Sequence, residues 1–182
     1  MSQPHRQPQV VVRRADRPGD LGWMVLAHGE IYDAQFGWNT DFEALVARIV
    51  ADFAADHDAT REAAWIAEAD GRRVGCVLCA ADHDPAVAKL RILLVAPAAR
   101  GLGVGTRLVA ECLAFARDAG YERITLWTND VLTAAHKIYR AAGFTLTDEE
   151  PHHSFGHDLV GQNWSLDLRV GDPTRTPTAD SA

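Results

Sequence analysis

Apolar residues along the chain follow two rhythms, one of strands and one of helices. Val10, Val11 and Val12 sit in a short run that predicts a first strand over Gln9–Arg14. Helical spacing follows over Asp20–His28 and again over Asp41–Phe53. In the second segment Phe42, Leu45, Val46, Ile49, Val50 and Phe53 form one stripe, and Thr40 or Asp41 can cap it. Gly29–Asn39, between them, reads as a loop rich in aromatic residues: Tyr32, Phe36 and Trp38. Strands at Ala63–Ala67 and Arg73–Ala80 flank Asp70-Gly71, a hairpin turn signal. After a turn at Asp82–Pro85, Lys89–Val95 is a further strand of branched apolar residues.

The second half changes character. A helix is predicted from about Gly103 to Asp118, with Val104, Leu108, Cys112 and Phe115 along one side and Gly120 as its stop. Arg123–Trp127 is a short strand, and Asn129 or Asp130 caps the next helix. That helix carries Leu132, Ala135, Ile138, Tyr139 and Ala142 on its apolar face and ends at Gly143. Phe144–Thr147 and Trp164–Leu168 complete the sheet. Antiparallel hairpins followed by a strand–helix–strand crossover predict an α/β (α+β) domain over residues 9–170, a mixed central sheet flanked by helices. Residues 1–8 and 171–182 read as flexible termini, the latter holding Pro173, Pro177 and three threonines.

Composition narrows the picture. The 182 residues make one domain able to bury a real core. A net charge of −7 without a basic stripe argues against nucleic acid, and suits a cationic or neutral substrate slightly better than an anionic one. The N-terminus lacks an apolar signal core, and no apolar run approaches transmembrane length, so no membrane partner and a cytoplasmic location are expected. Three cysteines make no disulfide framework. Cys76 and Cys79 form a Cys-x-x-Cys, but residues three apart on a strand face opposite ways, so two core residues are expected rather than a redox or zinc pair.

The candidate chemistry lies between a strand and a helix, in Arg100-Gly101-Leu102-Gly103-Val104-Gly105-Thr106. Alternate glycines remove side chains where backbone must approach a ligand. A helix N-terminus adds unpaired N–H groups and a positive dipole end, so the turn suits a phosphate or pyrophosphate. Arg100 and Arg107 add positive charge. The Walker pattern fails, because Thr106 and Arg107 rather than Lys follow Gly105. The dinucleotide fingerprint fails too, because its last glycine position falls on Thr106 or Leu108.

Arg-x-x-Gly-x-Gly at Arg100, Gly103 and Gly105 resembles the acetyl-CoA loop of the GNAT superfamily. Leu93-Leu94-Val95-Ala96-Pro97 resembles that family's strand and its Val-x-Pro exit. Ala135, Tyr139 and Gly143-Phe144 resemble its Ala-x-x-x-Tyr-x-x-x-Gly-Phe element. Residues 126–132 and 150–156 are similar to acetyltransferase domains found fused to MarR-type regulators; no regulator domain is expected here, since the fold reading begins at Gln9, and no direct transcriptional role. The resemblance implies the GNAT fold and an N-acetyltransferase that moves the acetyl group of acetyl-CoA, its co-substrate, to an amine of a small molecule or protein. It implies backbone contacts from Leu93, Leu94 and Val95 to pantetheine and thioester, and a pyrophosphate held at Arg100, Gly101, Leu102, Gly103, Val104, Gly105 and Thr106. Tyr139 falls at the family's position for a donor to the departing sulfur. One departure is Leu132, where many members carry Asn; Asn129 is the candidate to replace its pantetheine contact.

Glu30 is the candidate base for the acceptor amine, directly or through water, in the aromatic Gly29–Asn39 loop where the family puts acceptor-side residues, and His28 is the second candidate. As a lone carboxylate on a loop, Glu30 reads first as a solvated side chain and only second as the base. His152, His153 and His157 invite a zinc reading, but Pro151 and Gly156 oppose a helix there and no carboxylate or thiol is obviously placed with them, so a structural or acceptor-binding role is expected rather than a metal. A homodimer is compatible with the resemblance. The alternative function is an acetyl-CoA-binding sensor or interaction module without turnover.

Overall fold

The computed structural model describes residues 8–169. The proposed flexible termini lie almost entirely outside that range. Seven strands form one sheet: β1 (Val10–Arg14), β2 (Ala63–Ala69), β3 (Arg72–Ala81), β4 (Val87–Val95), β5 (Arg123–Asn129), β6 (Thr145–Ser154) and β7 (His157–Asp167). Their spatial order is β1-β2-β3-β4-β5-β7-β6. All neighbours are antiparallel except β4 and β5, which are parallel and joined by the crossover through helix α3 (Val104–Asp118). Helices α1 (Asp20–Phe36) and α2 (Thr40–Asp56) cover one face of the sheet. On the other face lie α3 and α4 (Thr133–Ala141).

The alternation along β3 divides the core between these faces. Cys76 and Leu78 pack under α1 and α2 with Met24, Val46 and Ile66; Val77 and Cys79 pack under α3 with Leu108 and Cys112. The two thiols of the Cys-x-x-Cys therefore diverge, as strand geometry requires. The buried Cys76 thiol is pushed well above its usual value by desolvation.

Three boundaries differ from those read in the sequence. The supposed loop at 29–39 is mostly helix: α1 runs on to Phe36 and stops at Gly37, in the left-handed region at φ 68°. Tyr32 stacks on His28 one turn earlier, and Phe36 packs on Tyr32, at ring separations of 5.7 and 5.6 Å. Asn39, not Thr40 or Asp41, caps α2, its side chain accepting from the Asp41 N–H at 3.0 Å. The last hairpin is longer than expected, β6 and β7 pairing from Thr145–Ser165 to Ser154–His157.

The start of α1 is fixed by charge. Asp20 is fully buried and accepts from both terminal nitrogens of Arg13 (2.7 and 3.0 Å), from Arg73 Nε (2.8 Å) and from the Arg17 N–H (3.0 Å). The Arg13 guanidinium holds its carboxyl far below the usual carboxylate range. The helix is thereby tied to β1 and β3, which sets where its other end overlies β4.

Candidate active site

The site begins where the sheet comes apart. β4 and β5 pair only at Val87–Arg123, Ala88–Ile124 and Lys89–Thr125; beyond that the strands separate. β4 also carries a bulge, since one residue of β3 between Cys76 and Leu78 opposes two of β4 between Leu94 and Arg91. Ile92, inside the bulge, stands at φ 49°, a strained conformation for a β-branched residue. Ala96 donates to the Val74 carbonyl at 2.7 Å, which sets the alternation. Leu94 and Ala96 turn their amides to β3, so Leu93 and Val95 turn theirs to the gap. The β3 side needs Gly75 here: a Cβ there would lie 2.8 Å from the Leu94 carbonyl oxygen.

A cleft of about 790 Å³ opens at this gap, bounded by Leu93–Val95, by the turn from Arg100 to Thr106, by Val131–Ala135 and Ile138, and by the end of α1. The glycines of the turn divide into two roles. Gly101 and Gly103 adopt φ 81° and 72°, and the space over each is open. Gly105 is a packing glycine, its missing Cβ leaving room for Ile138 of α4. The N–H groups of Leu102 and Arg107 bond to the Ala99 and Gly103 carbonyls. Those of Gly101, Gly103, Val104, Gly105 and Thr106 have no hydrogen-bond partner among the described residues. Five unsatisfied donors at the positive end of α3 make an anion cradle.

The two arginines behave differently. Arg100 lines the cleft and donates to Gln35 of α1 at 2.6 Å. Arg107 turns away and donates to the Val10 carbonyl at 2.7 Å, so it fastens β1 rather than contributing to the cradle. Leu102 packs against the core and does not face the cleft.

A smaller cavity of about 250 Å³ lies on the α1–α2 side and meets the cleft at Tyr32, Leu93 and Leu132. Tyr139 borders it, with its ring against Phe144 and Trp164 and no hydrogen-bond partner for its hydroxyl among the described residues. Burial pushes the phenol well above its usual value, so it stays a proton donor at neutral pH. His28 borders the same cavity but is buried in its wall. Its Nδ1 donates to the Met24 carbonyl at 2.7 Å, leaving Nε2 as an unpartnered acceptor. Burial lowers this imidazole from 6.5 to about 4, so it is neutral at pH 7.

Asn129 and Glu30 do not stand where the sequence reading set them. Asn129 is the last residue of β5 rather than a helix cap, and it faces the smaller cavity, not the cleft. Its Oδ1 accepts from His152 Nε2 at 2.8 Å, and His152 Nδ1 meets Ser154 Oγ at 2.9 Å, a chain that ties the β6–β7 hairpin to the site. Glu30 is exposed on α1 and borders neither opening, because helical geometry turns its neighbours His28, Ile31 and Tyr32 inward instead. The sequence reading missed Ile92, whose positive φ has no sequence signal, and the pairing of His152 with Asn129, 23 residues away. The three candidate metal histidines take separate partners: His152 as above, His153 with Asp158 at 2.7 Å and His157 with the Gly37 carbonyl at 3.0 Å. Among the described residues no group of three or more His, Cys, Asp or Glu could hold a metal, and no helix is long and apolar enough to cross a membrane.

Comparison with known proteins agrees with this geometry. A putative acetyltransferase from Salmonella typhimurium, solved with its cofactor acetyl-CoA, has the same fold, with a TM-score of 0.70 over 94% of this chain and 99% of that one at 18% identity. Human N-acetyltransferase 8B is 33% identical over 93 residues, 49% of this chain and 41% of that protein. N-acetylaspartate synthetase of Xenopus tropicalis is 35% identical over 89 residues, 49% of this chain and 33% of that protein. The chain thus spans under half the length of these relatives. Residues 26–144, well over half of the chain, match the Acetyltransferase (GNAT) family, and with that match, on this sheet and this turn, the chain belongs to the GNAT acetyltransferase family.

Proposed function

We propose that this domain is an N-acetyltransferase that uses acetyl-CoA as co-substrate and acetylates an amine bound in the smaller cavity. The observation that carries the reading is the run of unsatisfied amides at Gly101 and Gly103–Thr106, opening on the same cleft as the free edge of β4. That donor set fits a pyrophosphate, which the open space over Gly101 and Gly103 admits. Acetyl-CoA supplies an activated acetyl thioester when bound there. Leu93 and Val95 direct backbone groups to its pantetheine arm, and Arg100, near the cradle, adds positive charge. Asn129 is not assigned a cofactor contact, because its carbonyl oxygen is engaged by His152.

Positioning supplies much of the rate: the cleft and the cavity meet at Leu93, so acceptor and donor are held face to face. Tyr139 donates its hydroxyl to the sulfur that leaves, stabilising developing negative charge. The acceptor ammonium loses its proton to solvent, its nitrogen bonds to the acetyl carbon as the C–S bond breaks, and the released thiolate takes up a proton; Glu30, exposed and bordering neither opening, is not assigned as the base. Within the family we assign the domain to the branch found with MarR-type regulators, on residues 126–132 and 150–156. Three free, buried cysteines suit a reducing cytoplasm.

The Tyr139→Phe variant tests the catalytic assignment, since it keeps the ring and removes the hydroxyl. With thiol release from acetyl-CoA followed across an amine panel, turnover falls ~10–1000-fold while acetyl-CoA affinity changes little. Unchanged turnover, with chemistry rate-limiting, makes Tyr139 a packing residue only. A domain that binds acetyl-CoA but releases thiol with no amine is a sensor rather than an enzyme.

A further inference from the structure

The smaller cavity carries a charge of its own. Among the described residues two cations border it, Lys89 and Arg91, and no Asp or Glu does. Lys89 is paired with Asp82 at 3.1 Å. Arg91 is half-buried and, among the described residues, has no carboxylate within 4.0 Å and donates no hydrogen bond. Desolvation, the largest effect, lowers its affinity for a proton, and the more distant Asp52 of α2 and Asp82 act in the opposite sense. A guanidinium stays charged all the same, with five donors to satisfy. A half-buried, unpartnered cation is costly unless a ligand completes it.

The remaining wall decides the ligand's body. Tyr32, Trp38, Phe42 and Trp127 supply aromatic surface, and Thr125 and Asn163 supply polar edges. At about 250 Å³ the cavity is smaller than the roughly 300–1,000 Å³ of sites for drug-sized ligands. The local field there is opposite to the −7 of the whole chain, so bulk charge is a poor guide to the acceptor.

We infer that the acceptor is a small amine that carries a carboxylate, an amino acid or a compound of that shape, and that Arg91 grips the carboxylate through its planar fork. The pairing is bidentate in chemistry, two parallel N–H···O bonds that a single ammonium does not reproduce. With the carboxylate held at Arg91 on β4, the amine is left to face Leu93, two residues along the same strand, where cavity and cleft join. The inference rests on the acetyl-transfer reading of this site.

The test compares amino acids with their carboxamides, which keep the amine and the side chain and replace the carboxylate with a neutral amide. Two readouts are taken: kcat/KM for acetylation, and calorimetric binding of each amine to the domain loaded with CoA. Amino acids are expected to exceed their amides by roughly 30-fold or more in both. Arg91→Gln erases that preference and Arg91→Lys restores part of it, with the stabilisation by acetyl-CoA retained in each as the control for folding. Amides acetylated as well as acids, or a preference that survives Arg91→Gln, overturns the inference and leaves acetyl transfer standing. Acids that bind through Arg91 without being acetylated uphold the carboxylate site and refute transfer instead. Preference for a free amino acid over a dipeptide with the same N-terminal residue identifies the α-carboxylate as the group held.

Discussion

His28 gives the cleanest quantitative prediction, because one buried imidazole titrates alone in an apolar wall. Its neighbours are the rings of Tyr32 and Phe42 and the Met24 carbonyl, with no ion pair. In the unfolded chain it titrates near 6.5; folded, it is held to about 4. The folded state therefore resists protonation, and acid favours unfolding. Stability from this group is level above 6.5, falls as the pH drops toward 4, and levels again below. Between about pH 7.5 and about pH 5, the unfolded chain takes up nearly one proton here and the folded chain very few, a loss of about 2 kcal/mol. His28→Phe keeps a ring between Tyr32 and Phe42 and removes the titration. Urea unfolding, followed by tryptophan fluorescence at the two pH values, measures the difference between the proteins. His136, whose imidazole is also lowered by burial, and the carboxylates are common to both and cancel. The wild type should lose about 2 kcal/mol more than the variant on acidification. Equal losses in the two proteins refute the idea that His28 is buried neutral.

Two further predictions concern the frame around the site. Asp20→Asn leaves Arg13 and Arg73 facing a buried neutral group, and thermal unfolding should come roughly 6–20 °C lower, from a cost of about 3–5 kcal/mol. Gly75→Ala forces a Cβ to within 2.8 Å of the Leu94 carbonyl; a stability loss of about 1–3 kcal/mol is expected, with weaker acetyl-CoA binding by calorimetry, because Leu94 follows the bulge.

How much of this could be read beforehand depended on whether a feature left a periodic trace. The strands from Ala63 to Val95 and the helix α3 bury one face or two and announce themselves by period. The helix α1 did so only as far as His28, because it holds Gly22 and Gly29 and spreads apolar residues around its circumference, with Leu26 exposed and Met24 fully buried. Its second half therefore reads as a loop in the sequence, and Glu30 as a loop carboxylate near the acceptor. The strand β6 was legible only at its start. It is an edge strand, exposed almost throughout, and its Asp148-Glu149-Glu150-Pro151 run lacks any apolar alternation. The glycine turn was legible as an anion site, and the structure divides its glycines between left-handed backbone and packing. The opening between β4 and β5 left no trace in periodicity, since a missing ladder changes no side-chain pattern. Arg91 was invisible for a similar reason: one arginine in a strand looks like a surface residue until the cavity around it is seen.

The central claim is that the unsatisfied amides from Gly101 to Thr106 hold the pyrophosphate of acetyl-CoA. Calorimetric titration with acetyl-CoA and with S-acetylpantetheine, which keeps the thioester arm but has neither pyrophosphate nor nucleotide, tests it most directly. Charge-assisted hydrogen bonds contribute about 1.5–3 kcal/mol each, so acetyl-CoA should bind at least ~100-fold more tightly. Equal affinities for the two donors contradict the account.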